Sequence, residues 1–140
     1  MMRLFNTILV ILLMVLSGCA STEANKQRDA MYTFPDLEQV NSIDNFRMDG
    51  WESVDRYSII VGVRPNQNYL LILNGGLNDL NFAQGLAITS TMGKVEAGFD
   101  SVSTVQEPML KSQIKRIYKL EDKQQKNEIK AKIESFADNK

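Results

Sequence analysis

Histidine is absent from the 140 residues, and cysteine occurs once, as Cys19. The first absence excludes Ser-His-Asp and Cys-His catalysis, since both need an imidazole to carry the proton. The second excludes an intrachain disulfide, and the two together remove the usual zinc ligands, so no cofactor is expected. Chemistry would fall to carboxylates, lysines, hydroxyls or backbone groups. A long apolar run is also missing. The stretch from Ile8 to Leu16 is well short of the about 20 residues that a spanning helix needs, so no permanent transmembrane anchor is expected. Charge of one sign is not in excess either, with 16 basic and 17 acidic residues.

What is present at the start has the layout of a secretory signal: Arg3, then the apolar run, then small residues before Cys19. Leu16, Ser17, Gly18 and Cys19 resemble the lipobox of bacterial lipoproteins. The chemistry requires a thiol as diacylglycerol acceptor, and small residues at 17 and 18 let the extended backbone enter the signal peptidase. Residues 1–18 are therefore expected to be the signal peptide and Cys19 the lipidation site. The competing reading is an ordinary signal peptide with an incidental cysteine. Each buried methylene contributes about 0.8 kcal/mol, so a multiply acylated Cys19 would be a stable anchor. Ala20, where an aspartate would resemble an inner-membrane retention signal, points to the outer membrane, with the domain facing the periplasm.

Removal of the signal leaves 122 residues. That is enough for one domain burying about two thirds of its unfolded surface, without metal or disulfide. Residues 19–30 are polar and charged without apolar periodicity and are expected to be the lipidated cysteine and a flexible tether. Residues 31–120 read as a β-rich domain. Tyr57, Ser58, Ile59, Ile60 and Val61 form one strand, Pro65 to Asn68 a turn, and Tyr69 to Leu73 a second strand pairing as a hairpin. Gly75 and Gly76 make a further turn. Leu86 to Thr89 is a strand, Thr91 to Lys94 a turn, and Val95 to Val105 a strand or two interrupted near Gly98. Residues 121–140 read as an amphipathic helix and tail, with Ile129, Ile133, Phe136 and Ala137 on one face and pairs such as Asp122 with Lys126 and Lys130 with Glu134 four apart. The fold class expected is mainly β (α+β): a small antiparallel barrel or sandwich with a C-terminal helix. Between them, Leu110, Ile114, Ile117 and Tyr118 suit a helix, while Ile114, Arg116, Tyr118 and Leu120 alternate as a strand.

The order of features from Ile43 to Leu120 resembles a family of uncharacterised proteobacterial lipoproteins, a domain of unknown function. The resemblance rests on Gly50-Trp51 with Val54-Asp55, Tyr69-Leu70-Leu71, Leu80-Asn81-Phe82-Ala83, Phe99-Asp100-Ser101-Val102 and Ile114-Lys115-Arg116-Ile117. It implies a fold type and a location, favours the strand for 110–120, and supplies no activity. Many members carry a cysteine pair, and Leu77 and Ser112 stand about where its members fall.

Asp49, Glu52 and Asp55, with Asp44 nearby, surround Trp51 and are the candidate binding surface, for a cation or a sugar. The segment lacks the ligand spacing of a helix-loop-helix calcium site. Solvated carboxylates beside a core tryptophan are the simpler expectation. Gly75-Gly76 lacks the Lys-Ser/Thr of a phosphate loop. A Ser-Lys dyad, Ser112 with Lys115 or Ser101 with Lys94, has nothing in the sequence to depress the lysine. From Lys111 to Lys132 eight basic residues face three acidic ones, whereas from Asp36 to Glu107 ten acidic face four basic. The basic tail is expected to be the exposed face of a docked helix, with anionic lipid or cell-wall polymer as the alternative. Nucleic acid is not an expected partner, given export and the acidic balance elsewhere. The expected protein is a non-enzymatic envelope lipoprotein, a periplasm-facing binding or structural module. Its partners would be the membrane through the lipid anchor, and an envelope protein or cell-wall polymer. The alternative is an inhibitor or accessory subunit of an envelope enzyme.

Overall fold

The computed structural model describes residues 20–138 and falls into two compact units, Met1–Phe34 and Pro35–Lys140. Cys19 and the expected signal peptide lie outside the described residues. Within the first unit, helix α1 covers Ala20–Met31. This differs from the coil expected of the tether. The segment has no apolar stripe, but Ala, Glu, Lys, Gln and Arg are good helix formers and no Gly or Pro interrupts them. Its end is closed locally, with the Thr33 hydroxyl donating to the Asp29 carbonyl at 2.7 Å. No helix among the described residues is long and apolar enough to cross a membrane.

The second unit is a curled antiparallel half-barrel. Its strands are β1 Glu38–Val40, β2 Ser42–Ile43, β3 Met48–Asp55, β4 Ser58–Val63, β5 Gln67–Leu73, β6 Leu86–Ile88, β7 Val95–Glu96, β8 Ser101–Thr104 and β9 Ser112–Leu120. Seven form one sheet in the order β3-β4-β5-β9-β8-β6, with β1 also paired to β9, while β2 and β7 make a small second sheet. The expected hairpin is β4–β5, with Val61 opposite Tyr69. Residues 112–120 are a strand, and the Thr91–Lys94 turn places Met92 at φ 53° and Gly93 at φ 74°. Two consecutive positive φ values match the twist of the flanking strands, and glycine takes such a value without a Cβ penalty.

The central strands are buried on both sides, which explains their unbroken apolar runs. Ile59, Val61, Leu71 and Ile117 belong to the main core cluster on one face. Ile60, Leu70 and Tyr118, which alternate with them, are buried on the other. That second face carries helix α2, Lys123–Asp138, through Ile129 and Ile133, which are 6% and 1% exposed. Asp122 caps the helix by accepting from the Gln125 N–H at 2.7 Å. Lys126 and Lys130, expected to pair along the helix, reach instead to Glu52 on β3, at 3.3 and 3.7 Å. One helical turn separates the two lysines, so both ammonium groups meet a single carboxylate.

Candidate functional site

Strand polarity gathers three loops at one end of the half-barrel: the β3–β4 turn, residues 74–85, and residues 105–111. They are tied together by hydrogen bonds that belong to no strand ladder. The Leu77 N–H donates to the Arg56 carbonyl at 2.8 Å and the Leu73 N–H to that of Tyr57 at 2.8 Å. Ser112 at the start of β9 accepts from the Gly75 N–H at 3.0 Å and donates back to the Gly75 carbonyl at 2.5 Å. The Gly75-Gly76 segment is thus a loop, as the turn reading held. Leu77 and Ser112 line the same cleft, of about 320 Å³, which brings together the two positions where the resemblance puts a cysteine pair.

A second cleft, of about 460 Å³, adjoins it through Leu77 and Asn78. Asp55, Arg56, Asn78, Asp79, Asn81 and Phe82 make its wall. Arg56 stands over the Tyr57 ring, 5.3 Å from the centroid, and donates to the Asn78 amide oxygen at 3.1 Å. The Ser53 hydroxyl donates to the Asn81 amide oxygen. A single 3-10 turn, Leu80–Phe82, presents the wall: Leu80 points into the core at 4% exposure, and Phe82 stands out at 82%. Val105, Met109 and Leu110, on the neighbouring loop, are exposed as well.

The residues singled out from sequence do not converge. Asp49 pairs with Arg64 at 3.1 Å at the opposite end of the sheet. Glu52 holds helix α2 on the outer face. Asp55 caps the β3–β4 turn, accepting from the Tyr57 N–H at 2.9 Å and the Ser58 hydroxyl at 2.6 Å. Strand alternation and the bulges in β3 send these side chains in different directions. No group of three or more His, Cys, Asp or Glu is placed to hold a metal ion among the described residues. Trp51 packs against the main core cluster but is only half-buried, because β3 is the edge of the sheet and no strand among the described residues pairs beyond it. Of the four, Asp55 alone lies on the cleft. The Ser112 hydroxyl of the considered dyad is engaged with Gly75 rather than with a lysine.

Sequence reasoning missed Asn78, Asp79, Asn81 and Phe82 as a site. Leu80-Asn81-Phe82-Ala83 was visible as a marker of the resemblance, but Leu80 and Phe82, on either side of Asn81, read alike as apolar core. That Leu80 is inside and Phe82 outside depends on the 3-10 turn.

No curated protein and no solved structure matches this chain. A family of unknown function (DUF6491) matches residues 1–136, and the chain belongs to it.

Proposed function

We propose that this member of the DUF6491 family is a lipid-anchored binding module of the bacterial envelope, attached through Cys19 to the outer membrane and facing the periplasm. The observation that carries the anchor is Leu16-Ser17-Gly18-Cys19 directly after an apolar run of export-signal length. Binding is favoured over catalysis by the absence of histidine and by the local engagement of the candidate groups. Asp49, Glu52 and Asp55 each serve a turn or an ion pair, and Ser112 serves a loop closure.

The anchor is tested by labelling cells with a fatty acid probe. Wild type incorporates it, and Cys19→Ala yields an unprocessed or mislocalised precursor without label. Equal labelling of both would refute the reading.

A second reading, an inhibitor or accessory subunit that presents loops to an envelope enzyme, is favoured by the exposure of Phe82, Met109 and Leu110 at one end of the domain. Affinity purification from cross-linked envelopes separates the two. One stoichiometric enzyme partner supports the subunit, and cell-wall fragments support the module.

A further inference from the structure

We propose that the cleft formed by the β3–β4 turn and the 3-10 turn Leu80–Phe82 binds a neutral oligosaccharide, with Phe82 as the stacking platform. This deepens the binding-module reading and rests on it for the source of the glycan, but not for the binding itself.

A sugar ring has one apolar face of C–H groups and an edge of hydroxyls, so its site needs an exposed ring beside planar polar side chains. The cleft has both. Phe82 is 82% exposed on a turn whose other apolar residue, Leu80, is buried, so this ring is held out in solvent by the backbone around it. The turn is closed by the Phe82 N–H donating to Asp79 at 2.9 Å and the Ala83 N–H to Leu80 at 3.2 Å. Beside the ring, Asn78 and Asn81 have their amide oxygens occupied by Arg56 and Ser53. The amide nitrogens are left as donors, and the exposed Asp79 carboxylate is an acceptor. Arg56 is fixed between Tyr57, Asn78 and the backbone at Gly76, so the wall is ordered before a ligand arrives, which lowers the entropic cost of binding.

Charge selects among ligand classes. One guanidinium stands with two carboxylates, Asp55 and Asp79, which disfavours phosphate and other anions. Asp55 is committed to its turn, which leaves too few oxygens converging for a divalent cation. An apolar ligand would leave the asparagine donors and the Asp79 carboxylate unpaired. A neutral, hydroxyl-rich ligand satisfies all three. The volume of about 460 Å³ falls within the range of small-ligand sites.

The test is calorimetric titration of the mature, detergent-solubilised lipoprotein with a β-1,4-linked N-acetylglucosamine tetramer and with maltotetraose. Saturable binding of at least one is expected. Loss of the ring in Phe82→Ala should weaken it about tenfold, as should Asn78→Ala, while Trp51→Phe leaves it unchanged. Phe82 and Asn78 are exposed, so both variants should keep the wild-type thermal transition. No saturable binding of either oligosaccharide, or equal affinity for Phe82→Ala and wild type, would overturn the proposal. Either result leaves the fatty-acid labelling of Cys19 untouched, so failure of the glycan site and failure of the anchor are distinguishable.

Discussion

The Nε of Arg56 overlaps the place where a Cβ on residue 76 would stand, and the Tyr57 ring lies 3.0 Å from the same point. Glycine at 76 is therefore the condition for the arginine to lie on the tyrosine and reach Asn78. The requirement is one of space, not of backbone conformation, since Gly76 is not in the left-handed region.

Gly76→Ala should accordingly push Arg56 off Tyr57, at a cost of at most about 1 kcal/mol, because the clashing atoms are the far end of an exposed, flexible side chain. In an Arg56→Ala background the same change should cost less, because the clashing side chain is gone. Urea unfolding of the four proteins measures the coupling. Strict additivity would mean that the contact has no energetic role.

Asp100, 3% exposed, holds two segments with its two oxygens. It accepts from the Thr89 hydroxyl at 2.7 Å and from the Glu96 N–H at 2.7 Å, and the Thr89 hydroxyl in turn accepts from the Ser101 N–H at 2.9 Å. Asp100→Ala strands the part-buried Glu96 N–H, at about 1–3 kcal/mol, and releases the Thr89 hydroxyl, which stands on an exposed residue and can turn to water. Thr89→Val removes one donor and should cost less. Denaturation midpoints of the two variants give the order, and an equal or reversed order would sink this assignment.

Helix α2 is held to the sheet by its isoleucines more than by its lysines. Ile133→Ala should cost about 2–5 kcal/mol through transfer and cavity terms. Glu52→Gln should cost at most about 1 kcal/mol, because the carboxylate and its two lysine partners keep a quarter to a third of their side-chain surface in water. The Glu52→Gln difference should also shrink in high salt, while that of Ile133→Ala should persist. Thermal scans at low and high ionic strength check both.

Trp51, half-buried on an edge strand, should lose less on truncation than the about 3–5 kcal/mol typical of a core tryptophan. Trp51→Phe should be nearly neutral. Emission of this single tryptophan should be intermediate, partly quenched by iodide. Complete quenching would place the indole outside the core contact found here.

Much of this molecule was legible before any tertiary structure. The absence of histidine and the single cysteine depend on composition alone. The β4–β5 hairpin is written in Tyr57 to Val61, the turn at Pro65, and Tyr69 to Leu73, because strand propensity and turn chemistry act within a few residues. The Ile129–Ile133 stripe of helix α2 is likewise local. Partnership across the chain was not legible. Whether Trp51 is inside depends on β3 being an edge, which follows from the order of strands that pair with β4 and β9 rather than from residues beside Trp51. Lys126 and Lys130 sit one turn apart on any helix, but their meeting Glu52 depends on which sheet face the helix covers. Phe82 illustrates the same limit most directly. Leu80 and Phe82 stand on either side of Asn81, an alternation that in a strand would put both on one face, so neither carries a sign of its direction. Only the 3-10 turn, closed by backbone hydrogen bonds and anchored by buried Leu80, sends one side chain to the core and the other to water.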